Sequence, residues 1–153
     1  MGSSIPAGLD YLATQVRALP EAAAPVVVSD GWPASRGDAM VALGITPEED
    51  DSGVTVAYAE LSDLETENVE IPCIVAVRRN GTNAASLART AAFGLYDAIN
   101  GLIRSDRRLG GAVRPGLPAR VAQYQVSQTA DQREAGDGRW CEIRFTIAWR
   151  HRG

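Results

Sequence analysis

Two stretches of the chain carry apolar side chains at the three- and four-residue spacing of an amphipathic helix. In the first, from about Pro6 to Leu19, the repeating positions are Ile5, Leu9, Leu12, Val16 and Leu19. In the second, from about Ala84 to Arg104, a broad apolar face is rich in alanine. Ser4 is placed to cap the first helix, and Thr82 or Asn83 the second. The pattern therefore predicts two helices, and the small side chains of the second allow it to approach a sheet closely.

Elsewhere apolar and polar residues mostly alternate, which is the two-residue period of a β-strand. The predicted strands cover Val26–Val28, Met40–Ile45, Val54–Leu61, Glu70–Arg79, Ala119–Gln128 and Arg139–Arg150. The first of them is a short β-branched run, which is typical of a buried strand. In the fifth of these, Ala122, Tyr124 and Val126 are expected to share a face. Alternation is clearest in the last strand, where one face carries Cys141, Ile143, Phe145, Ile147 and Trp149. A slip of one residue would turn that whole row to water, so the register is well specified.

The connections between these strands are polar. The segment Thr46–Gly53 contains four consecutive acidic residues and is predicted to be a solvated loop. Ser62–Asn68 is interpreted as an acidic connection, and Thr129–Gly138 as the turn of a C-terminal hairpin. Pro72 cannot donate a backbone hydrogen bond, so its strand is expected to begin at a sheet edge or a bulge.

The order of elements indicates the fold class. One helix precedes two short strands and two longer ones, and a second helix precedes the final hairpin. Because strands follow one another instead of alternating with helices, the sequence predicts an α+β fold. We expect a largely antiparallel or mixed sheet with both helices packed on one face, as a single domain over residues 1–153.

Charge is divided along the chain. Residues 1–72 carry 2 Arg against 13 acidic residues, a net charge of −11, and residues 73–153 carry 13 Arg against 6 acidic residues, a net charge of +7. All 15 basic residues are arginine. The two halves can neutralise each other within one fold, or leave faces of opposite sign that suit head-to-tail contacts between subunits.

No apolar run approaches the roughly 18 residues of a membrane span, and no signal peptide is evident, so a cytoplasmic protein is expected.

The residues that most often carry catalysis or bind metals are few. Cys73 and Cys141 lie on apolar strand faces, which predicts two small core side chains. His151, the single histidine, is expected at a frayed C-terminus. Three Cys and His residues are too few for a structural zinc site, and no nucleophile has a base beside it. We therefore expect no enzyme activity, no metal and no cofactor.

Phosphate-binding motifs are not evident either. A P-loop needs a lysine, and Leu109-Gly110-Gly111 follows a helix instead of opening one, which is typical of a helix C-cap. Two acidic clusters, Glu48–Asp51 and the group Glu65, Glu67 and Glu70, lack the spacing of a calcium loop and are interpreted as solvated surface. Arg78-Arg79 and the arginines between Arg104 and Arg120 are interpreted as ordinary surface residues, with a local surface for phosphate or a partner as the alternative.

The chain resembles the tail terminator proteins of long-tailed, non-contractile bacteriophages over nearly its whole length. The resemblance lies in the order and spacing of several segments, since none is diagnostic alone. These are Val26-Val27-Val28, Asp30-Gly31-Trp32-Pro33, Glu67-Asn68-Val69-Glu70-Ile71-Pro72, Ala88-Arg89, Asp106-Arg107-Arg108-Leu109-Gly110-Gly111 and Phe145-Thr146-Ile147-Ala148.

The resemblance implies a structural function without catalytic residues. Proteins of this family form a hexameric ring on the last ring of tail tube subunits. The ring stops tube polymerisation and presents the surface that docks to the head–tail connector. Genomic DNA passes through its channel without sequence-specific binding. The implied location is the head-proximal end of the virion tail, after assembly in the host cytoplasm and with no membrane partner.

The charge division suggests where subunits meet. We expect Asp50 and Asp51 of one subunit to face Arg107 or Arg108 of the next. Two alternatives to a terminator remain open. One is a neck or tail completion protein on the head side, and the other is a small cytoplasmic ligand-binding domain or enzyme.

Overall fold

The computed structural model describes residues 2–48, 54–62, 66–114, 117–130 and 138–152. Within them lie two α-helices, a 3₁₀ turn at Pro20–Ala22 and six β-strands. The helices are α1 (Ile5–Arg17) and α2 (Ala84–Ser105). The strands are β1 (Val27–Asp30), β2 (Ala39–Leu43), β3 (Tyr58–Leu61), β4 (Thr66–Arg79), β5 (Arg120–Ala130) and β6 (Arg139–Arg152).

All six strands belong to one sheet, ordered β1-β2-β4-β6-β5 from edge to edge. Strand β3 pairs with the first residues of β4, and β2 pairs with its later residues, while β6 occupies the other side of β4 throughout. β1 and β2 are parallel, and the other pairs are antiparallel. The predicted α+β class is confirmed, with a mixed sheet, both helices on one face and a C-terminal strand pair.

The two longest strands, β4 and β6, form the centre of the sheet. Their ladder runs from Thr66 opposite Arg152 to Arg79 opposite Arg139. One apolar row of each strand points at α1 and α2, and these rows form the main core with both helices. We call this side of the sheet the helix face. Burying these continuous rows removes a large apolar area from water, which is the main force holding the layers together.

The opposite side of the sheet, here the open face, carries a second and smaller core. It consists of Trp32, Met40, Ala42, Ile45, Ile74 and Ala76. The indole of Trp32 packs over this region and donates a hydrogen bond from Nε1 to the carbonyl of Thr46 at 2.8 Å. β2 is therefore buried on both faces, which explains why its sequence is apolar without alternation.

Three predicted boundaries are wrong. β4 begins at Thr66, so the end of the predicted connection Ser62–Asn68 is strand, and Glu67 is buried. β6 continues to Arg152, so His151 is a buried strand residue and not part of a frayed terminus. β3 covers only the second half of the predicted strand Val54–Leu61. The first two errors share a cause, because β4 and β6 extend each other's pairing beyond the apolar pattern.

Pro72 lies inside the central strand β4 and not at its start. Its carbonyl accepts a hydrogen bond from the backbone N–H of Ile45 at 2.8 Å, on the side of β4 that β2 and β3 share. β2 pairs as far as Cys73 and β3 begins opposite Glu70, so Pro72 falls in the gap between them. The backbone N and C=O of a strand residue point to the same side. The nitrogen of Pro72 therefore faces the gap between β2 and β3, where no strand acceptor lies opposite it, so no ladder hydrogen bond is lost.

The predicted face of β5 also needs correction. The pairing with β6 shifts between Val121 and Gln123, which places a bulge at Ala122. Val121 lies opposite Ile147 and Tyr124 opposite Phe145, so these two share the helix face, while Ala122 does not continue their row.

The helix ends confirm some of the predicted caps and change others. Ser4 and Asn83 occupy the N-cap positions of α1 and α2, but neither forms a side-chain capping hydrogen bond. After α2, Leu109, Gly110 and Gly111 all have positive φ angles. α2 ends earlier, at Ser105 with Asp106 as its C-cap, so the predicted glycine C-cap is wrong and these residues form a separate left-handed turn after the helix.

Candidate functional site

Strand β5 is the most exposed long element of the sheet. It pairs with β6 on one side, and none of the described strands pairs with its other side. Every residue of β5 except Val121 is exposed, including Tyr124 at 56% and Val126 at 37%. We call this unpaired side the β5 edge. An edge strand can offer backbone donors and acceptors to another chain, and ten of the eleven residues of β5 are exposed.

Helix α2 holds β5 without covering it. The ring of Tyr96 packs against Tyr124 at a centroid distance of 5.2 Å. Near the other end, Gln128 donates from Nε2 to the carbonyl of Ala85 at 2.8 Å and accepts from Arg89 at 2.9 Å. These contacts fix the position of the strand from its helix face, and most of its side chains stay exposed.

A groove runs between the C-terminal half of α2 and the start of β5. Its volume is about 560 Å³. Its lining includes three arginines, Arg104, Arg107 and Arg120, beside Asn100 and Tyr124. We call it the arginine groove. None of the three guanidinium groups forms an ion pair with a described residue, whereas Arg36 pairs with Glu142 at 2.9 Å elsewhere on the surface. The groove therefore presents three positive charges without an ion-pair partner among the described residues, beside an open strand edge.

Tyr96 forms the buried floor of the arginine groove. Burial is the main cause that raises the pKa of its phenol, Tyr124 and Asp97 raise it further, and Arg104 opposes them. The hydroxyl therefore stays protonated at neutral pH and is available as a hydrogen-bond donor or acceptor. The groove combines this polar group with the guanidinium donors, which suits a ligand or chain segment that carries carboxylates.

A second open edge lies on the opposite side of the sheet. All four residues of β3 are exposed, with Tyr58 at 53% and Leu61 at 71%. β3 pairs with β4 on one side, and no described strand pairs with its other side. Glu60 is the acidic residue of this strand. We call this unpaired side the β3 edge.

The open face of the sheet contains a cavity of about 440 Å³. Its lining mixes apolar and polar side chains from β3, β4, β5 and β6 and from the segment after β2. The residues include Tyr58, Pro72, Gln123, Arg144 and Thr146. The guanidinium of Arg144 lies over the ring of Trp32 at 5.6 Å, which fixes one wall of the cavity.

Four buried side chains at the base of α1 form a polar cluster that the sequence did not reveal. The hydroxyl and the backbone N–H of Ser4 both donate to Oε1 of Glu67, the latter at 3.0 Å. The indole Nε1 of Trp149 donates to the Ser4 hydroxyl at 2.8 Å. His151 lies opposite Glu67 in the ladder, and its Nδ1 accepts the backbone N–H of Arg114 at 3.1 Å. We call this group the Ser4 cluster.

The chemistry of the Ser4 cluster is structural. Its serine donates to a carboxylate and not to a histidine nitrogen, which is unlike a nucleophile with its base. Burial by itself would raise the pKa of Glu67, but hydrogen bonds from Ser4 and Ser3 and the electrostatic contribution of His151 outweigh it, so the pKa is lowered. The cluster fastens α1 to the ends of β4 and β6. The sequence alone could not predict that Glu67 lies opposite His151, because this contact depends on the pairing of β4 with β6.

The cysteines behave as the sequence predicts. Cys73 and Cys141 are buried and unbridged in the core. Burial raises the pKa of the Cys73 thiol to about 12, with a smaller opposing effect from a backbone hydrogen bond at Gly44.

Among the described residues, no cluster of three or more His, Cys, Asp or Glu side chains is placed to bind a metal ion. Neither described helix has the combination of length and hydropathy that a membrane span requires.

The structure describes two of the four predicted interface residues. Arg107 and Arg108 are exposed in the turn after α2, and Arg107 lines the arginine groove. Asp106 fixes this turn by accepting the backbone N–H groups of Arg108 and Gly110 at 3.2 and 2.9 Å. Asp50 and Asp51 lie outside the described residues, so their proximity to these arginines stays a prediction.

Comparisons with protein-family models and with curated proteins found no match to this chain. No model of a known protein family matches it, and no curated protein is significantly similar to it in sequence.

Proposed function

We propose that this chain is a structural assembly protein of the tail terminator type, which caps a phage tail tube and presents the docking surface for the head–tail connector. The observation that carries the proposal is the β5 edge, an eleven-residue strand exposed along nearly its whole length. The resemblance in the order and spacing of the sequence segments supports the specific assignment to a tail terminator.

Two unlike open edges suit a ring of identical subunits. A surface on one side of a subunit that binds a different surface on the other side of the next gives a heterologous contact, and such contacts close into rings when the rotation between subunits allows. The β5 edge and the β3 edge lie on opposite sides of one sheet. The arginines of the groove at one edge and the acidic residues in the N-terminal half provide complementary charge for such contacts.

In the proposed ring, Asp50 and Asp51 of one subunit face Arg107 or Arg108 of the next. The exposure of both arginines supports this pairing, because neither has to leave a buried position to meet a neighbour. The ring is hexameric, its channel passes genomic DNA without reading its sequence, and it needs no cofactor. Its partners are the tail tube protein on one side and the head–tail connector on the other.

Electron microscopy of tails tests the proposal directly. Tails assembled without this protein are expected to have tubes of variable and excessive length. Addition of the purified protein should restore a uniform length and heads joined to tails. Uniform tubes of normal length without the protein would show that it is not the terminator.

A binding assay separates the terminator from a protein of the neck on the head side. The purified chain is mixed with tail tubes and, in parallel, with DNA-filled heads. A terminator should sediment with the tubes in the absence of heads. Sedimentation with heads alone would assign the chain to the neck or to another completion step.

The cavity on the open face supports a second candidate function, the binding of a small molecule. With a volume of about 440 Å³, it falls within the size range of ligand sites, and it combines Tyr58, Gln123 and Arg144 as polar contacts. Native mass spectrometry of the protein purified from its host tests this candidate. A monomer that carries a bound small molecule would favour it over the assembly function.

A further inference from the structure

We propose that the arginine groove binds an extended acidic segment of a partner protein, whose carboxylates are held by Arg104, Arg107 and Arg120. The inference rests on the proposed assembly function only for the origin of that segment, which comes from a protein that docks on this chain. Binding of the segment itself depends on the groove alone. Arg108 is not part of the groove lining, so it stays available for the contact proposed between subunits.

The shape of the groove fits an extended chain. One wall runs along α2 from Tyr96 to Arg104, a distance of about 12 Å at the rise of an α-helix. The other wall is the first part of β5, from Arg120 to Tyr124, which spans about 13 Å at the rise of a strand. Two walls of nearly equal length accommodate about four residues of extended polypeptide.

Positive charge is spread along both walls of the groove. Arg104 lies near the end of α2 and Arg107 in the turn after it, while Arg120 begins the opposite wall. All three side chains are exposed, and no Asp or Glu belongs to the described lining. A guanidinium group can donate two parallel hydrogen bonds to one carboxylate. Arginines at several points of a groove therefore suit a segment that carries several acidic side chains.

The groove also has neutral groups that can bind a peptide backbone. Asn100 of α2 and Gln123 of β5 lie on opposite walls. A side-chain amide both donates and accepts, so the two residues can bind N–H and C=O groups of a segment that lies between them. Backbone contacts of this kind do not depend on the sequence of the segment, so its acidic side chains decide which segments bind.

The aromatic lining favours a protein segment over a single-stranded nucleic acid. Tyr96 is 6% exposed, and its ring packs against Phe145 and Tyr124 at centroid distances of 5.4 and 5.2 Å. Tyr124 is therefore the one accessible ring among the described lining residues. Nucleic acid bound without sequence preference stacks successive bases on several such rings.

Fluorescence anisotropy with a synthetic peptide tests the inference. The probe is a short fluorescein-labelled peptide of alternating threonine and glutamate, and the control peptide has glutamine in place of glutamate. The acidic peptide should bind at least about tenfold more tightly than the neutral one, and its affinity should fall as salt is added.

Matched arginine variants test whether the groove is the site. An exposed ion pair contributes little by itself, so two arginines are replaced together. Arg104→Gln with Arg120→Gln should weaken binding of the acidic peptide by at least about tenfold. Arg17→Gln, an exposed arginine at the end of α1, is the control and should change the affinity by less than about twofold. Circular dichroism checks that the variants keep the fold.

Backbone amide shifts in NMR spectra locate the bound peptide. On titration, the largest shifts should fall on Asn100, Arg104 and the strand residues from Arg120 to Tyr124. Shifts centred on β3 or on the Ser4 cluster would place the peptide elsewhere and overturn the inference.

Three further results would overturn the inference. A dissociation constant weaker than about 1 mM for the acidic peptide would mean that the groove does not bind it. Equally tight binding of an oligothymidine with the same number of charges would assign the groove to nucleic acid. Loss of self-association in the Arg104 and Arg120 double variant would assign it to a second copy of this chain.

The tail-length experiment decides the proposed function separately from this inference. A groove that fails to bind the peptide leaves the terminator function intact, because tubes can depend on this protein through another surface. Tubes of normal length without the protein would contradict that function while peptide binding in the groove still holds.

Discussion

The carboxylate of Glu67 accepts two hydrogen bonds from Ser4, a residue 63 positions earlier in the chain. This contact joins the first turn of α1 to the beginning of β4, and Trp149 of β6 donates to the same serine hydroxyl. Three elements therefore meet at one buried acid. Buried polar groups contribute favourably when every partner is in place and cost stability when one is removed.

Replacement of Glu67 should destabilise the fold. Glu67→Ala removes the acceptor of both Ser4 donors in a site that is 6% exposed, which should lower the free energy of unfolding by about 2 kcal/mol. Urea denaturation followed by circular dichroism measures the change. Glu70→Ala, on an exposed position of the same strand, is the matched control and should change stability by less than about 0.5 kcal/mol. Equal effects at the two positions would mean that the Ser4 cluster contributes nothing specific.

Stability should also depend on pH through Glu67. Burial opposes ionisation, but hydrogen bonds from Ser4 and Ser3 and the influence of His151 lower the pKa below its ordinary value of 4.5. A carboxyl with a lowered pKa in the folded state stabilises the fold above its unfolded pKa, and this contribution is lost as the pH falls through the folded pKa. Unfolding measured from neutral pH down to about pH 3 should therefore show a steeper loss of stability below pH 4.5 in the native protein than in Glu67→Gln. Parallel curves would contradict the assignment.

A pair of glycine substitutions tests how tightly α1 packs on the sheet. A Cβ at Gly8 would lie 2.9 Å from the buried ring of Trp149, which cannot move easily because Ser4 holds its indole. Gly8→Ala should therefore cost about 1–3 kcal/mol, despite the better helix propensity of alanine. A Cβ at Gly94 in α2 meets no atom within 4 Å, so Gly94→Ala should stabilise by up to about 1 kcal/mol. Thermal unfolding of both variants gives the comparison, and stabilisation by both would show that α1 is loosely packed.

Reversal of charge at Arg107 and Arg108 tests the predicted subunit interface. Both residues are exposed, so Arg107→Glu with Arg108→Glu should leave the unfolding temperature nearly unchanged. Self-association, measured by analytical ultracentrifugation, should weaken by at least about tenfold at low salt. Charge reversal of Asp50 and Asp51 in the same chain should restore it. Intact ring assembly and infectivity in the arginine variant would rule out this interface.

Local periodicity determined much of this protein without any knowledge of its fold. The apolar row from Cys141 to Trp149, the face of α1 and most of the face of α2 were predicted correctly, because side-chain direction along a helix or a strand repeats at a fixed interval. Leu87, predicted on the apolar face of α2, is 51% exposed. The position of Cys73 in the core follows from the same rule. The order of elements was also enough to predict an α+β class with both helices on one face.

The tertiary structure alone decided which of these elements stay open and which polar residues are buried. The alternation in β5 resembles that of a half-buried strand, yet Tyr124 and Val126 are exposed because α2 contacts this strand without covering it. Glu67 and His151 are residue types that usually lie at the surface. They are buried here because Ser4 and Arg114, which are distant in sequence, form hydrogen bonds with them in the fold. The burial of a residue depends on which distant residues pack against it in the folded protein. The spacing of residues along the chain does not predict those tertiary contacts.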